Sequence, residues 1–238
     1  MELIEENFPS GKHETWKACE VLLPHVLTAL RYSFLPEDED MALQRADLLE
    51  NIARYDENQG RYNIARPRYE EVFQLRMKVL GEEHPSTLTS MNNLASVLSS
   101  QGRYEEAEQM HRQALELREK VSGKEHPETL TSINDLASVL ESQGRYEEAE
   151  QMHRQELELR EKVSGKEHSF TLTSMNNLAL VLESQGRYQE AEQMHRQALE
   201  LKEKVLSKEH PSTLTSMNNL ALVLGSQGRY EEAEQMHR

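Results

Sequence analysis

His84, His126, His168 and His210 stand 42 residues apart, and each opens a copy of one pattern, HPxTLTSMNNLAxVLxSQGRYEEAEQMHRQALELREKV, with Ser169 in place of proline in the third copy. Residues 84–125 and 126–167 differ at five of 42 positions: Ser86/Glu128, Met91/Ile133, Asn93/Asp135, Ser99/Glu141 and Ala114/Glu156. A diverged earlier copy keeps the register. Asn51, Ile52, Ala53, Gln59, Gly60, Arg61, Tyr62 and Ala65 lie 42 residues before Asn93, Leu94, Ala95, Gln101, Gly102, Arg103, Tyr104 and Ala107. A fixed period of this length overrides any domain count drawn from chain length. The organisation expected is an N-terminal helical cap or degenerate repeat over 1–41, a diverged repeat over 42–83, repeats over 84–125, 126–167 and 168–209, and a truncated repeat over 210–238.

Within a copy, Leu88, Met91, Leu94, Ala95 and Leu98 follow the i, i+3, i+4, i+7 spacing of one helical face, predicting a helix A near 85–100. Pro85 suits its first turn and Gly102 its end. A second stripe, Tyr104, Ala107, Met110, Ala114, Leu117 and Val121, predicts a helix B near 104–121. Neither helix can bury its stripe alone. Each antiparallel pair therefore packs against the next, giving an all-α solenoid of helix pairs.

Leu94, Ala95, Gly102, Tyr104, Ala107 and Ala114 fall on the small-and-large pattern of the tetratricopeptide repeat, which the chain resembles over residues 42–238. The usual unit has 34 residues, and the resemblance implies a right-handed superhelical solenoid. The longer helix B and the KVxGKEHP linker are similar to the kinesin-light-chain type, and cap plus repeats resemble the C-terminal region of fungal NOD-like receptors. Two departures qualify the resemblance. Residues 1–41 are too short and lack the heptads that pair a light chain with its motor. The only GK, Gly11–Lys12, is followed by His13 and has Glu6 where a P-loop's first glycine belongs.

Lys and Arg total 27 against 42 Asp and Glu, a formal charge of -15. Such a field repels phosphate backbones and anionic lipid, so neither nucleic acid nor membrane is expected as partner. The start is acidic, no apolar run is long enough to span a bilayer, and Cys19 is the lone cysteine, so a cytoplasmic location is expected.

Catalysis, metal and cofactor are not expected. His84, His126, His168 and His210 recur in the linker, and His111, His153, His195 and His237 on helix B. Zinc needs donors converging at about 2 Å, whereas equivalent positions in stacked helix pairs lie about 20 Å apart, two interhelical spacings. Glu105, Glu106 and Glu108 sit at a helix start, where they complement the dipole. Cys19 near His13 and His25 lacks the rest of a nucleophile's machinery. Glu156 replaces a small packing residue, so it should either turn outward or loosen its unit.

The informative pattern is on the other side of helix A, where Thr89, Asn92, Asn93, Ser96 and Ser100 make a polar strip. The family resemblance implies that this strip lines a concave groove holding extended peptides. An Asn carboxamide offers a donor and an acceptor together and can match one peptide unit. The expected groove residues are Asn51, Asn92, Asn93, Ser96, Asn134, Asp135, Glu141, Asn176, Asn177, Leu180, Asn218 and Asn219. The alternative is that the asparagine pair is soluble filler copied by duplication. Residues 126–167 carry five Lys or Arg against ten Asp or Glu, so a ligand with basic residues is expected there.

The resulting expectation is a non-catalytic scaffold that binds an extended peptide or partner segment. The alternatives are a detached sensor or regulatory arm of a fungal NOD-like receptor system, or a kinesin-light-chain-like cargo adaptor. Helix B of the last copy stops after EEAEQMHR, which predicts self-association through an uncapped C-terminal repeat.

Overall fold

The computed structural model describes Pro9 and residues 15–32 and 38–236. Glu6, Gly11, Lys12, His13 and His237, discussed above, lie outside the described residues. Among the described residues there are eleven α-helices and no strand. A leading helix, α1 (Trp16–Tyr32), precedes five pairs. Their A helices are α2 (Glu39–Asn58), α4 (Pro85–Ser100), α6 (Pro127–Ser142), α8 (Ser169–Ser184) and α10 (Pro211–Ser226). The B helices are α3 (Tyr62–Leu80), α5 (Tyr104–Ser122), α7 (Tyr146–Ser164), α9 (Tyr188–Val205) and α11 (Tyr230–Gln235). The chain divides into two compact units, residues 1–121 and 122–238.

In the first unit α2 packs on α3 and α3 on α4, while Cys19, Val26 and Leu30 of α1 join a core with Ala46, Leu49, Ile52, Tyr55 and Val72. Trp16, Leu22 and Leu23 pack against it half-buried. In the second unit each helix from α6 to α11 packs on the next, and one cluster gathers Leu157, Leu172, Met175, Leu178, Leu182, Leu220 and Leu224. Apart from Leu157 of helix B, which lies off the predicted stripe, these are the stripe positions of helix A, and Ala191 and Ala198 join them from the helix-B stripe, buried because each pair closes on its neighbour.

The linker histidines are helix caps. Nδ1 of His84, His126, His168 and His210 accepts the backbone N–H two residues on, at 3.2, 3.3, 3.3 and 3.1 Å. Each cap residue is extended and stands before the first helical position, where proline costs no hydrogen bond in three of the four copies. Gly102 closes the A-to-B turn at φ 77°. In the B-to-A linker Gly165 follows Ser164 at φ 88°; the next linker has Ser207 at the equivalent position and α9 ends at Val205, one residue short of its counterparts. A serine cannot hold that left-handed backbone without strain.

The A helices are walled in on more than one side. α8 packs between α7 and α9 and is also joined directly to α6 and α10, through Asn177 Nδ2 donating to Asn134 Oδ1 (2.7 Å) and Asn176 Nδ2 donating to Ser216 Oγ (3.2 Å). Nine of its 16 residues are buried, including Thr171, Ser174 and Asn176. Only a narrow face remains open, which decides what the polar strip can be.

Candidate protein-binding face

On α6, α8 and α10 the open face carries mostly small polar side chains. In the second unit it comprises Thr131, Ser138 and Ser142 on α6, Thr173, Leu180 and Ser184 on α8, and Thr215, Asn218, Leu222 and Ser226 on α10, all exposed. Their spacing of three, four and seven residues reproduces the strip read from Thr89 to Ser100. The hydroxyls of the strip were read in residues 84–125 alone, so the threonines and serines of the later copies were missed as site residues. Most of these hydroxyls are already used as donors: Thr131, Thr173 and Thr215 bond to the carbonyls of Pro127, Ser169 and Pro211, and Ser142, Ser184 and Ser226 to those of Ser138, Leu180 and Leu222. They face a ligand as acceptors.

The asparagine pair divides. Asn92 and Asn176 are only 5% and 7% exposed, so these two belong to the interior and not to the strip. Their Oδ1 atoms face Nδ1 of the helix-B histidines His111 and His195, at 3.3 and 3.2 Å. The physical reason is the second wall: a helix bordered by neighbouring A and B helices turns one more row of side chains inward than an isolated pair does. Asn51 and Asn134 are half-buried, and Asn218 is exposed. The second asparagine of the pair lies at the rim. Asn93 Nδ2 donates to Glu50 Oε1 (2.7 Å) and Asn177 to Asn134, so both link successive A helices. Asp135 and Asn219 are half-buried at the equivalent position, and Ser96 is half-buried one turn on.

Glu141 is half-buried at the helix end, with Oε1 2.8 Å from Nε2 of the fully buried His153. Glu183 stands in the same relation to His195, also at 2.8 Å. This pairing was missed, although the sequence places each Glu 12 residues before its histidine. Where Ser99 replaces the carboxylate, burial lowers the pKa of His111 to about 4, with the nearby Arg118 charge adding to the effect. That imidazole is neutral at pH 7.

Behind the face, a cation on the last turns of helix B ties successive layers together. Arg76 donates to Asp47 and Glu50 at 2.6 Å and to Ser90 Oγ at 2.8 Å. Lys202 donates to Ser216 Oγ at 2.8 Å, and burial lowers its pKa. Glu156 does not turn outward. It is 1% exposed and its Oε1 is paired with Nε of Arg160, one helical turn along α7. Its Oε2 is left without a hydrogen-bond partner. Outside the core, Arg187 bonds Glu150 and Arg229 bonds Glu192, each at 2.7 Å. Although partial burial pushes these carboxyls up, hydrogen bonds from arginine and glutamine hold both below the usual range.

Among the described residues no group of three or more His, Cys, Asp or Glu could hold a metal ion, and no helix is long and apolar enough to cross a membrane.

The tetratricopeptide-repeat family profile matches residues 44–120, 94–162, 128–204 and 170–238. Over 89 residues the chain is 47% identical to a nucleotide-binding leucine-rich repeat (NLR)-like protein of Hyaloscypha variabilis, a match covering 37% of the chain and 9% of that protein. The chain thus spans about a tenth of the length of this curated relative. The crystal structure of the nearly identical repeats of a Podosopora anserina putative kinesin light chain is similar at 29% identity and a TM-score of 0.69, covering 84% of this chain and 93% of that one. BtubC from P. vanneervenii shares the fold at 18% identity, with a TM-score of 0.69 over 98% of this chain and 87% of its own.

Proposed function

The chain belongs to the tetratricopeptide-repeat family, and from that membership we propose that it is a non-catalytic scaffold whose A-helix face binds an extended segment of a partner protein. One observation carries the reading: among the positions at which the nearly identical copies differ, three fall on this face, at Asn93/Asp135, Ser96/Leu180/Leu222 and Ser99/Glu141/Glu183, while Ser86/Glu128, Met91/Ile133 and Ala114/Glu156 fall elsewhere. Differences at positions a ligand can reach are where selectivity between ligands can reside. The residues offered in the second unit are Thr131, Asn134, Asp135, Ser138, Glu141, Asn177, Leu180, Asn218 and Asn219; in the first unit, taken by itself, they are Asn51, Asn93 and Ser96. The acidic charge of residues 126–167 favours a basic ligand, and a cytoplasmic setting suits a chain with one cysteine.

The test is capture from a displayed peptide library by the wild-type chain and by two variants. Ser138→Arg blocks the face, whereas Arg154→Ser changes the exposed side of α7. Capture lost in the first and kept in the second supports the reading; capture kept in the first and lost in the second contradicts it.

The identity to an NLR-like protein favours a second reading, in which the repeats are the sensor arm of a receptor system and act through a switch elsewhere. Joining the chain to the relative's nucleotide-binding segment and measuring ligand-dependent nucleotide exchange separates the two. A ligand that binds without altering exchange leaves the scaffold reading alone.

A further inference from the structure

One position on helix B holds a fully buried histidine in three successive copies, and its partners differ in each: His111, His153 and His195 are buried alike. His111 Nδ1 meets Asn92 Oδ1 at 3.3 Å, and the residue 12 positions back is the uncharged Ser99. His153 Nε2 meets the Glu141 carboxylate at 2.8 Å, but its Nδ1 has no hydrogen-bond partner. Asn134 stands where the preceding copy has Asn92, and its Oδ1 accepts from Asn177 Nδ2 instead. Of the three, only His195 has both oxygens, Asn176 Oδ1 at 3.2 Å from Nδ1 and Glu183 Oε1 at 2.8 Å from Nε2.

Two acceptors on one imidazole constrain its protons. A neutral ring carries one N–H and one lone pair, so between two acceptor oxygens one nitrogen would present its lone pair to an oxygen. Asn176 is held with Oδ1 toward the ring, because its Nδ2 donates to Ser216 Oγ at 3.2 Å on α10. Only the imidazolium, with an N–H on each nitrogen, satisfies both contacts.

The surrounding charge favours the same state. α9 packs against α8 and α10; Glu183 is the one charged residue of α8, and α10 has none. On α9 itself Glu192 and Arg196 pair with each other, and Lys202 is the buried cation, seven residues on and donating to Ser216 Oγ. Seven residues are about 10 Å along a helix. A carboxylate at 2.8 Å therefore outweighs that ammonium.

We propose that His195 is a proton-operated latch, charged in the folded chain at neutral pH, which ties α9 to Glu183 and Asn176 of α8, and through Asn176 to Ser216 of α10, only while it keeps that proton. Losing the proton turns a lone pair toward one of the two oxygens, so one of the two hydrogen bonds is lost. The folded second unit thus holds a proton that the unfolded chain releases around pH 6.5, the ordinary value for a free imidazole. By linkage, the stability this adds is fully present below that pH and is lost as the pH rises beyond it. The sign is opposite to that of His111, which is neutral when folded at pH 7. His111 makes the first unit sensitive to acid, whereas His195 makes the second sensitive to alkali.

The experiment reads the imidazole nitrogens of the full, 15N-labelled chain by two-dimensional NMR at pH 7. His195 is expected to carry a proton on both nitrogens and His111 on Nδ1 alone; a single proton on His195 overturns the proposal. Ser99→Glu gives His111 the same two acceptors, and its ring is then expected to become doubly protonated at pH 7. A folded Ser99→Glu chain in which His111 stays singly protonated also overturns it. Hydrogen exchange follows the consequence. Corrected for intrinsic rates, protection of the α9 amides should fall at least about fivefold from pH 6.5 to 8.5 in the wild type and less than about twofold in Glu183→Gln, one proton setting a limit of about tenfold per pH unit. Equal pH slopes in the two chains would contradict the latch.

Discussion

Asn176 lies between two partners on different helices: its Oδ1 faces His195 Nδ1 at 3.2 Å and its Nδ2 donates to Ser216 Oγ at 3.2 Å on the next A helix. An amide so placed is part of the joint between repeats. Asn176→Ala is expected to cost about 1–3 kcal/mol, because it leaves buried polar groups without partners. Asn218→Ala, at the exposed equivalent position, should stay within about 0.5 kcal/mol. Urea denaturation followed by circular dichroism decides it; equal costs would remove the distinction between interior and open asparagines.

Arg76 answers two acids at once, and the arrangement makes its removal asymmetric. Arg76→Met leaves Glu50 buried without its main counter-charge, at a cost of about 3–5 kcal/mol. Arg76→Met combined with Glu50→Leu should cost less than the sum of the two single changes by at least about 1 kcal/mol. Additive costs in a double-mutant cycle would show that the pair does not act as a unit.

His111 gives the first unit an acid-sensitive joint. Its folded pKa is about 4 against about 6.5 for the free side chain, so the unfolded chain binds the extra proton first as pH falls. Stability present at pH 7 is therefore lost between about pH 6.5 and 4, by up to about 3 kcal/mol at 1.36 kcal/mol per pKa unit. His111→Gln, which keeps a donor toward Asn92, should flatten that stretch of the stability profile. An unchanged acid limb in the variant would contradict the assignment.

The helices were legible in the sequence because a repeated apolar stripe is a strong periodic signal: Leu88 to Leu98 and Ala107 to Val121 place helices A and B within a residue of α4 and α5. The open face was legible only in part. Periodicity separates an apolar from a polar side but cannot tell how many neighbours wall a helix in, and so Asn92 and Asn176 read as open when a second wall covers them. That Glu156 does not turn outward has a related reason. Its partner Arg160 is four residues on along the same helix, yet whether such a pair folds inward depends on the layer above it. The hydroxyls of Thr131, Ser142 and their counterparts were visible as residues, but not their bonds back to their own helices.

The central claim is that ligand lies across the A helices, and site-specific photo-crosslinking tests it most directly. A benzoylphenylalanine placed at Ser138 on α6, with a second chain carrying it at Arg154 on α7, is irradiated with the best peptide recovered from display. Adducts from position 138 and none from position 154 are the predicted result. Adducts from position 154 with none from position 138 would place the ligand on the B helices and contradict the account.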